Sequence, residues 1–143
     1  MPVRSLSQSV LRWPTPSQVL PATRIWAERQ ALAHPELIAL GVFGSYGRGD
    51  AAVGSDLDLL LIDRYATGTQ SQRLPKWPLE ELPLACDALV LTPEEFVFLL
   101  EPPSKPPGRM AQALRADLRW LWVSMANDAI VCSMSLGGTF GRW

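Results

Sequence analysis

Cysteine, histidine and net charge are all scarce in this chain of 143 residues. The two cysteines, Cys86 and Cys132, lack the spacing of a zinc-ligand pair, and two are too few for a disulfide framework. We therefore expect a reduced, cytoplasmic setting without a zinc site. Thirteen Lys and Arg residues are balanced by fourteen Asp and Glu residues, so the net charge is −1. This balance lacks the basic excess of a dedicated nucleic-acid binder.

Long apolar runs are also missing. No run approaches the roughly 18 residues that a membrane-spanning helix needs. The first residues lack the apolar stretch of a signal peptide, so we expect neither a membrane span nor a leader. Apolar residues nevertheless make up 48 % of the chain and charged residues 19 %, which is enough to bury a core.

Clusters among the thirteen prolines divide the chain into short segments. Apolar residues at helical spacing predict a first helix over residues 17–32, with Pro21 in its first turn. Continuous apolar runs predict strands at Leu37–Phe43, Leu57–Ile62, Leu84–Leu91 and Trp120–Val123. Two later helices are predicted, one over residues 93–100 behind a Thr92 cap and one over residues 108–118. The pattern is that of an α+β fold, with a mixed β-sheet packed against helices on at least one face.

The remaining segments have little periodicity. Residues 64–83 form a long connection without a clear pattern, and residues 136–143 read as a flexible tail. We therefore predict one domain over residues 1–124 and a C-terminal tail over residues 125–143. Trp120 and Trp122 alternate with apolar neighbours and are predicted to pack in the core. The other tryptophans without a place, Trp13, Trp77 and Trp143, would suit a protein interface.

The chemically informative stretch lies between the first two strands. Gly44-Ser45 ends the first strand, and Asp56-Leu57-Asp58 begins the second. Side chains two residues apart on a strand share a face, so Asp56 and Asp58 are predicted to lie about 6.5–7 Å apart. Carboxylates this close repel unless a cation lies between them, and Mg²⁺ binds carboxylates together with phosphate oxygens.

An anion site is predicted beside these carboxylates. Gly44 lets a phosphate approach the backbone, and a helix that begins at Ser45 would favour an anion at its first N–H groups. The stretch contains no Gly-Lys-Ser/Thr and lacks the glycine spacing of a dinucleotide fingerprint. The combination therefore predicts a metal–nucleotide site of another type.

Gly44-Ser45, followed after ten residues by Asp56-Leu57-Asp58, resembles the motif of the polymerase-β-type nucleotidyltransferase superfamily. Within it, the seven residues from Gly44 to Asp50 resemble the minimal nucleotidyltransferases. Members of that group are often antitoxins paired with a HEPN-type ribonuclease toxin. The resemblance covers about residues 37–123 and implies the nucleotidyltransferase fold.

The resemblance also implies roles for the acidic residues. The family carries a third carboxylate on a later strand, and Asp87 matches that position. Asp56 and Asp58 would bind a Mg²⁺ ion that holds the β- and γ-phosphates of ATP. Together with Asp87 they would bind a second Mg²⁺ ion at the acceptor hydroxyl. Asp87 would also help to remove the proton of that hydroxyl.

Three further residues are assigned to the nucleotide. The resemblance implies that Gly44 and Ser45 bind the triphosphate. Arg48 lies one helical turn beyond Ser45, where it reaches either a phosphate or a surface ion pair with Asp50 or Asp63.

This resemblance implies a Mg²⁺-dependent nucleotidyltransferase that moves AMP from ATP to a hydroxyl. By resemblance, the acceptor is a tyrosine of a HEPN-type toxin, so that the chain acts as an antitoxin. Two alternatives stay open: an antitoxin that works by contact without catalysis, and a nucleotidyltransferase that modifies a small-molecule hydroxyl. The short chain argues against the small molecule, because the larger members that modify tRNA or antibiotics carry a separate acceptor-binding domain. The sequence leaves the nucleobase and the oligomeric state open.

Overall fold

The computed structural model describes residues 14–125, residue 130 and the backbone of residues 139–140. The helices are α1 (Pro16–Ala33), α2 (Gly44–Arg48), α3 (Gln70–Arg73), α4 (Pro93–Leu100) and α5 (Arg109–Asp117). The strands are β1 (Leu37–Phe43), β2 (Leu57–Asp63), β3 (Cys86–Leu91), β4 (Arg119–Val123) and β5 (Thr139–Phe140). Single 3-10 turns cover Leu74–Lys76 and Leu79–Glu81. Among these described elements, no helix combines the length and the apolar character that crossing a membrane requires.

The strands form one mixed sheet in the order β3-β2-β1-β4-β5. Strand β1 is antiparallel to both β2 and β4, whereas β2 runs parallel to β3 and β4 parallel to β5. The predicted mixed sheet and α+β class are therefore confirmed. Strands β1 to β4 lie within two residues of the bounds predicted from their apolar runs.

Both faces of the sheet are buried, which explains why its strands are continuously apolar. Helix α1 covers one face, here called the α1 face, together with residues from the 64–83 connection. Helices α4 and α5 cover the other, here called the α5 face. Along β2 the side chains alternate between them: Leu59 and Leu61 point to the α1 face, and Leu60 and Ile62 to the α5 face.

Helix α1 begins one residue before its predicted start. Pro16 occupies its first turn, and the Gln18 side chain accepts a hydrogen bond from the Thr15 backbone N–H at 2.9 Å. Pro21 consequently lies inside the helix and not in its first turn as predicted. Because proline has no N–H, the carbonyl of Ser17 does not receive a hydrogen bond from residue 21.

The 64–83 connection is ordered by side-chain contacts that have no sequence periodicity. Helix α3 of this connection places the Gln70 side chain against β3. There the Gln70 amide accepts a hydrogen bond from the Val90 N–H and donates one to the Val90 carbonyl. Arg73 is buried and donates to the same carbonyl at 2.7 Å. The elements here are single turns, too short to show a repeat in the sequence.

Trp77 is buried in the core, although the sequence analysis assigned it to a protein interface. It is only 2 % exposed and packs on the α1 face, so the predicted interface role is wrong for this residue. The His34 ring meets it edge-on with 5.0 Å between centroids. Trp120 is buried and Trp122 partly buried in the core, as predicted, while residues 13 and 143 lie outside the described part.

The predicted tail, residues 125–143, lies mostly outside the described residues. Within it, residues 139–140 form β5 and pair with Arg119 and Trp120 of β4. At these two positions the chain is therefore part of the sheet, and not the flexible tail that was expected.

An ion pair joins the connection to the start of α4. Arg73 donates from Nη1 and Nη2 to the two carboxylate oxygens of Glu95 at 2.6 and 2.9 Å. Glu95 also closes the predicted cap of α4, since it accepts from the Thr92 N–H at 2.9 Å while Thr92 Oγ1 accepts from the Glu95 N–H. The Arg73 guanidinium lowers the pKa of Glu95 from 4.5 to about 2.

We expect Glu95→Gln to destabilise the fold at neutral pH by about 1–2 kcal/mol, because it leaves the buried Arg73 without its counter-charge. The value is modest since the Glu95 side chain is 44 % exposed and solvent screens the pair. The pKa of Glu95 is lower in the folded state, so the stabilisation is complete above about pH 4.5 and is lost as the pH falls towards 2. Urea unfolding at pH 7 and pH 3 measures this difference.

Glu94→Gln is the matched control, because it removes the same charge from the same helical turn without touching Arg73. A loss of stability equal in the two variants would mean that the helix dipole, and not the ion pair, is responsible.

Candidate active site

Strands β2 and β3 bring Asp58 and Asp87 together. The two residues are direct partners in the parallel register. Each alternates with residues that pack on the α5 face, so both carboxylates project to that side of the sheet. Asp56 lies two residues before Asp58 and has the same parity. This register brings Asp58 and Asp87 to one face. Asp56 precedes the first paired residue, Leu57, so its predicted sharing of a face with Asp58 stays a prediction.

The electrostatics of Asp58 show how close these charges are. Partial burial raises the pKa of Asp58, and the negative charges of Asp87 and Asp56 raise it further. The Arg48 guanidinium acts in the opposite direction. Asp58 is half-buried, whereas Asp56 and Asp87 are exposed. The site is therefore an open, acidic patch centred on a carboxylate that is costly to ionise.

The donor chemistry of this patch fits a hard divalent cation. Within the described ranges, no three Asp, Glu, His or Cys side chains are close enough to form a complete metal cage. Asp58 and Asp87 instead offer carboxylate oxygens from adjoining strands. Mg²⁺ is usually held in this way, by one or two carboxylates together with water and substrate phosphates.

Helix α2 begins beside this carboxylate pair. Phe43, the residue before it, is the antiparallel partner of Asp58. Gly44 has a φ of +64°, and a Cβ at this position would overlap Oδ2 of Asp58. Glycine is thus required both for the backbone conformation and for the close approach of β2. Ser45 is half-buried.

The core fixes the position of α2. Tyr46 is only 1 % exposed, and burial raises the pKa of its hydroxyl. Gly47 faces the end of α5 so closely that a Cβ would collide with the carbonyl oxygen of Asp117. A helix of one turn is therefore held rigidly between β1 and α5, with its first N–H groups at the carboxylate patch.

Arg48 is engaged by two carboxylates. Its Nε donates to Asp50 at 3.1 Å and its Nη1 to Asp117 at 3.0 Å. The predicted alternative pair with Asp63 is wrong, because Asp63 is buried and accepts from Lys76 at 2.7 Å. Sequence reasoning missed Asp117, since its partner lies 69 positions away and no local pattern links them. A contact between Arg48 and a phosphate stays a prediction.

We expect Gly44→Ala to lower nucleotidyl transfer by about 100-fold, because the new methyl group displaces the Asp58 carboxylate and a 1 Å misplacement costs that much. Steady-state kinetics of Gly44→Ala and Gly49→Ala test this. Gly49 also has a positive φ, of +84°, but a Cβ there meets no atom within 4 Å. Gly49→Ala is therefore a control that introduces the backbone strain without the collision. Equal losses of transfer in the two variants would rule out displacement of the Asp58 carboxylate as the cause.

Comparison with protein families identifies the class of this domain. The model of the nucleotidyltransferase domain family matches residues 24–107, which is more than half of the chain and includes all six predicted site residues. The chain belongs to this family and is a nucleotidyltransferase. A search of curated proteins gave no match.

Three solved structures similar to this chain are one candidate nucleotidyltransferase and two toxin–antitoxin proteins. A candidate nucleotidyltransferase from Sulfolobus solfataricus is 25 % identical, with a TM-score of 0.49 over 56 % of this chain and 72 % of that one. A toxin–antitoxin solved with AMP-PNP is 18 % identical, with a TM-score of 0.46 over 79 % and 85 %. A mutant MntA–HpeT toxin–antitoxin is also 18 % identical, with a TM-score of 0.42 over 78 % and 80 %.

Proposed function

We propose that this nucleotidyltransferase moves AMP from ATP to a hydroxyl group of an acceptor protein, and that it depends on Mg²⁺. The observation that carries the proposal is the pairing of Asp58 with Asp87 beside Gly44. The raised pKa of Asp58 supports it, because a cation at this patch would remove the repulsion that raises that pKa. Family membership supplies the class of reaction.

The residues divide the chemistry between them. Asp56 and Asp58 would hold the Mg²⁺ ion of the triphosphate. With Asp87 they would hold a second ion, and substrate oxygens would supply the ligands that these three side chains do not bring together by themselves. Bound Mg²⁺ supplies charge neutralisation for the phosphates and lowers the pKa of the attacking hydroxyl. Gly44 and Ser45 leave room for the triphosphate at the first N–H groups of α2, which favour an anion.

Asp87 would act on the acceptor. It is exposed next to Asp58, where its carboxylate accepts the proton of the acceptor hydroxyl. The hydroxyl oxygen forms a bond to the α-phosphorus, and the bond from that phosphorus to the β-phosphate oxygen breaks. Pyrophosphate leaves, and AMP remains on the acceptor.

The acceptor is a tyrosine of a HEPN-type toxin, and the chain is the antitoxin that modifies it. The resemblance of the Gly44–Asp50 stretch to minimal nucleotidyltransferases supports this assignment. The exposure of Asp56 and Asp87 agrees with it, because an open patch admits a side chain presented by a second protein.

Intact-mass spectrometry of the toxin tests this proposal. We expect the toxin encoded beside this chain to gain the mass of one adenylyl group after incubation with the chain, ATP and Mg²⁺. The double variant Asp56→Ala/Asp58→Ala should add no mass and should leave the toxin active. An unmodified toxin that both proteins neutralise equally would instead establish an antitoxin that works by contact alone.

A further inference from the structure

Strand β3 lies at one end of the sheet, so one side of its backbone faces away from β2. Alternate residues of a strand direct their N–H and carbonyl groups to opposite sides. The carbonyl of Ala85 points to β2, where it accepts from the Leu57 N–H at 3.2 Å. The backbone groups of Cys86, Ala88 and Val90 therefore point outward.

Part of this outer edge is already covered by a side chain that imitates a strand. The Gln70 amide accepts from the Val90 N–H at 2.8 Å and donates to the Val90 carbonyl at 2.7 Å. A peptide group on an added strand would make the same two bonds. At Cys86 and Ala88, no group in the described ranges bonds to the outward N–H or carbonyl.

The uncovered part of the edge adjoins two features that suit a peptide. Asp87 lies between Cys86 and Ala88 and projects to the α5 face. On the opposite side is an open groove of about 380 Å³ lined by Leu79, Glu80, Leu82, Leu84, Ala85 and Cys86. An added strand would alternate between these features, with one side chain at Asp87 and its two neighbours towards the groove.

We infer that the β3 edge at Cys86–Ala88 binds an extended segment of the acceptor protein as an added strand and thereby places its hydroxyl side chain beside Asp87. This inference rests on the proposed function, since it assigns how the protein acceptor is held. The residues that flank the hydroxyl are apolar, to match the groove. Lys or Arg elsewhere in the segment complements Glu80 and Asp87.

A peptide library tests the specificity. Nonapeptides with a central Tyr, Ser or Thr and random flanks are incubated with the full chain, Mg²⁺ and ATP labelled at the α-phosphate. We expect labelled peptides to be enriched in apolar residues on both sides of the hydroxyl residue. An edge recognises an extended segment without the rest of its protein, so a library with no labelled peptide overturns the inference. Transfer to the intact toxin would then leave the proposed function standing.

Methylation of peptide nitrogens tests the strand geometry with a control built into each peptide. An added strand directs alternate N–H groups to β3 and the others to solvent. N-methylation of the most strongly labelled peptide should therefore lower labelling about tenfold or more at alternate positions and little at those between. Equal sensitivity at all positions contradicts the added strand.

The same edge is tested on the chain with Ala88→Pro. The outward N–H of residue 88 is not part of the β2–β3 ladder, so proline removes the donor for the added strand and keeps that ladder. The preceding Asp87 is already in the extended conformation that a following proline favours. Labelling should fall about tenfold, while affinity for Mg²⁺–ATP and the melting temperature stay close to wild type. Wild-type labelling, or a loss of ATP affinity, overturns the inference. A dimer in light scattering that becomes monomeric in this variant also does so, because a second copy would then occupy the edge.

Discussion

The variant Asp58→Asn is expected to lose nucleotidyl transfer by about 10³-fold and yet to be more stable than wild type without divalent ions. The loss follows because Asp58 lies against Gly44 and is the direct strand partner of Asp87, so it joins the two halves of the proposed site. The gain follows because burial and two acidic neighbours raise the pKa of Asp58 above its usual 3.8. Its ionisation therefore opposes folding as the pH rises through the folded pKa, and asparagine removes that cost.

Single-turnover transfer measures the loss of activity, and thermal unfolding in EDTA and in Mg²⁺ plus ATP measures the change in stability. Wild type should gain stability from Mg²⁺ plus ATP by linkage, whereas Asp58→Asn should gain little. Glu28→Gln is the control, because it removes one carboxylate charge at an exposed position of α1. An Asp58→Asn variant that is less stable than wild type in EDTA would contradict the repulsion assigned to this site.

Asp87→Asn is expected to lower turnover by a similar factor, about 10³-fold, while the affinity for Mg²⁺–ATP stays close to wild type. Asp87 lies on the edge strand and is assigned to the acceptor, whereas Asp56 and Asp58 are assigned to the triphosphate. The two substitutions should therefore have different effects. Asp58→Asn should impair both nucleotide binding and turnover, whereas Asp87→Asn should impair turnover alone.

Titration calorimetry with ATP in the presence of Mg²⁺, together with single-turnover transfer, resolves the two effects. The Glu28→Gln control should match wild type in both. Turnover near the wild-type value would show that Asp87 is not the third carboxylate of this domain.

The strands could be predicted because a sheet buried on both faces requires continuous apolar runs. The cap of α4 was also evident, since Thr92 and Glu95 form a local motif. The connection over residues 64–83 could not be predicted in the same way. Its order comes from contacts of Gln70 and Arg73 with a strand some twenty residues later, and such contacts leave no periodic pattern.

The candidate site shows the same division. The prediction that Asp56 and Asp58 share a face needs strand parity alone. That Asp58 and Asp87 lie directly beside each other depends on the parallel register of β2 and β3. Short apolar runs do not specify that register. Two further contacts, of Gly44 with Asp58 and of Arg48 with Asp117, could not be predicted from the sequence either. Each depends on tertiary packing.

The most direct test of this account follows the two ends of ATP in one reaction. The full chain, the proposed HEPN-type toxin partner and Mg²⁺ are incubated with ATP labelled at either the α- or the γ-phosphate. The account predicts that the α-label becomes attached to the toxin and that the γ-label is released as pyrophosphate. Attachment of the γ-label to the toxin, or its release as inorganic phosphate, would contradict nucleotidyl transfer at this site.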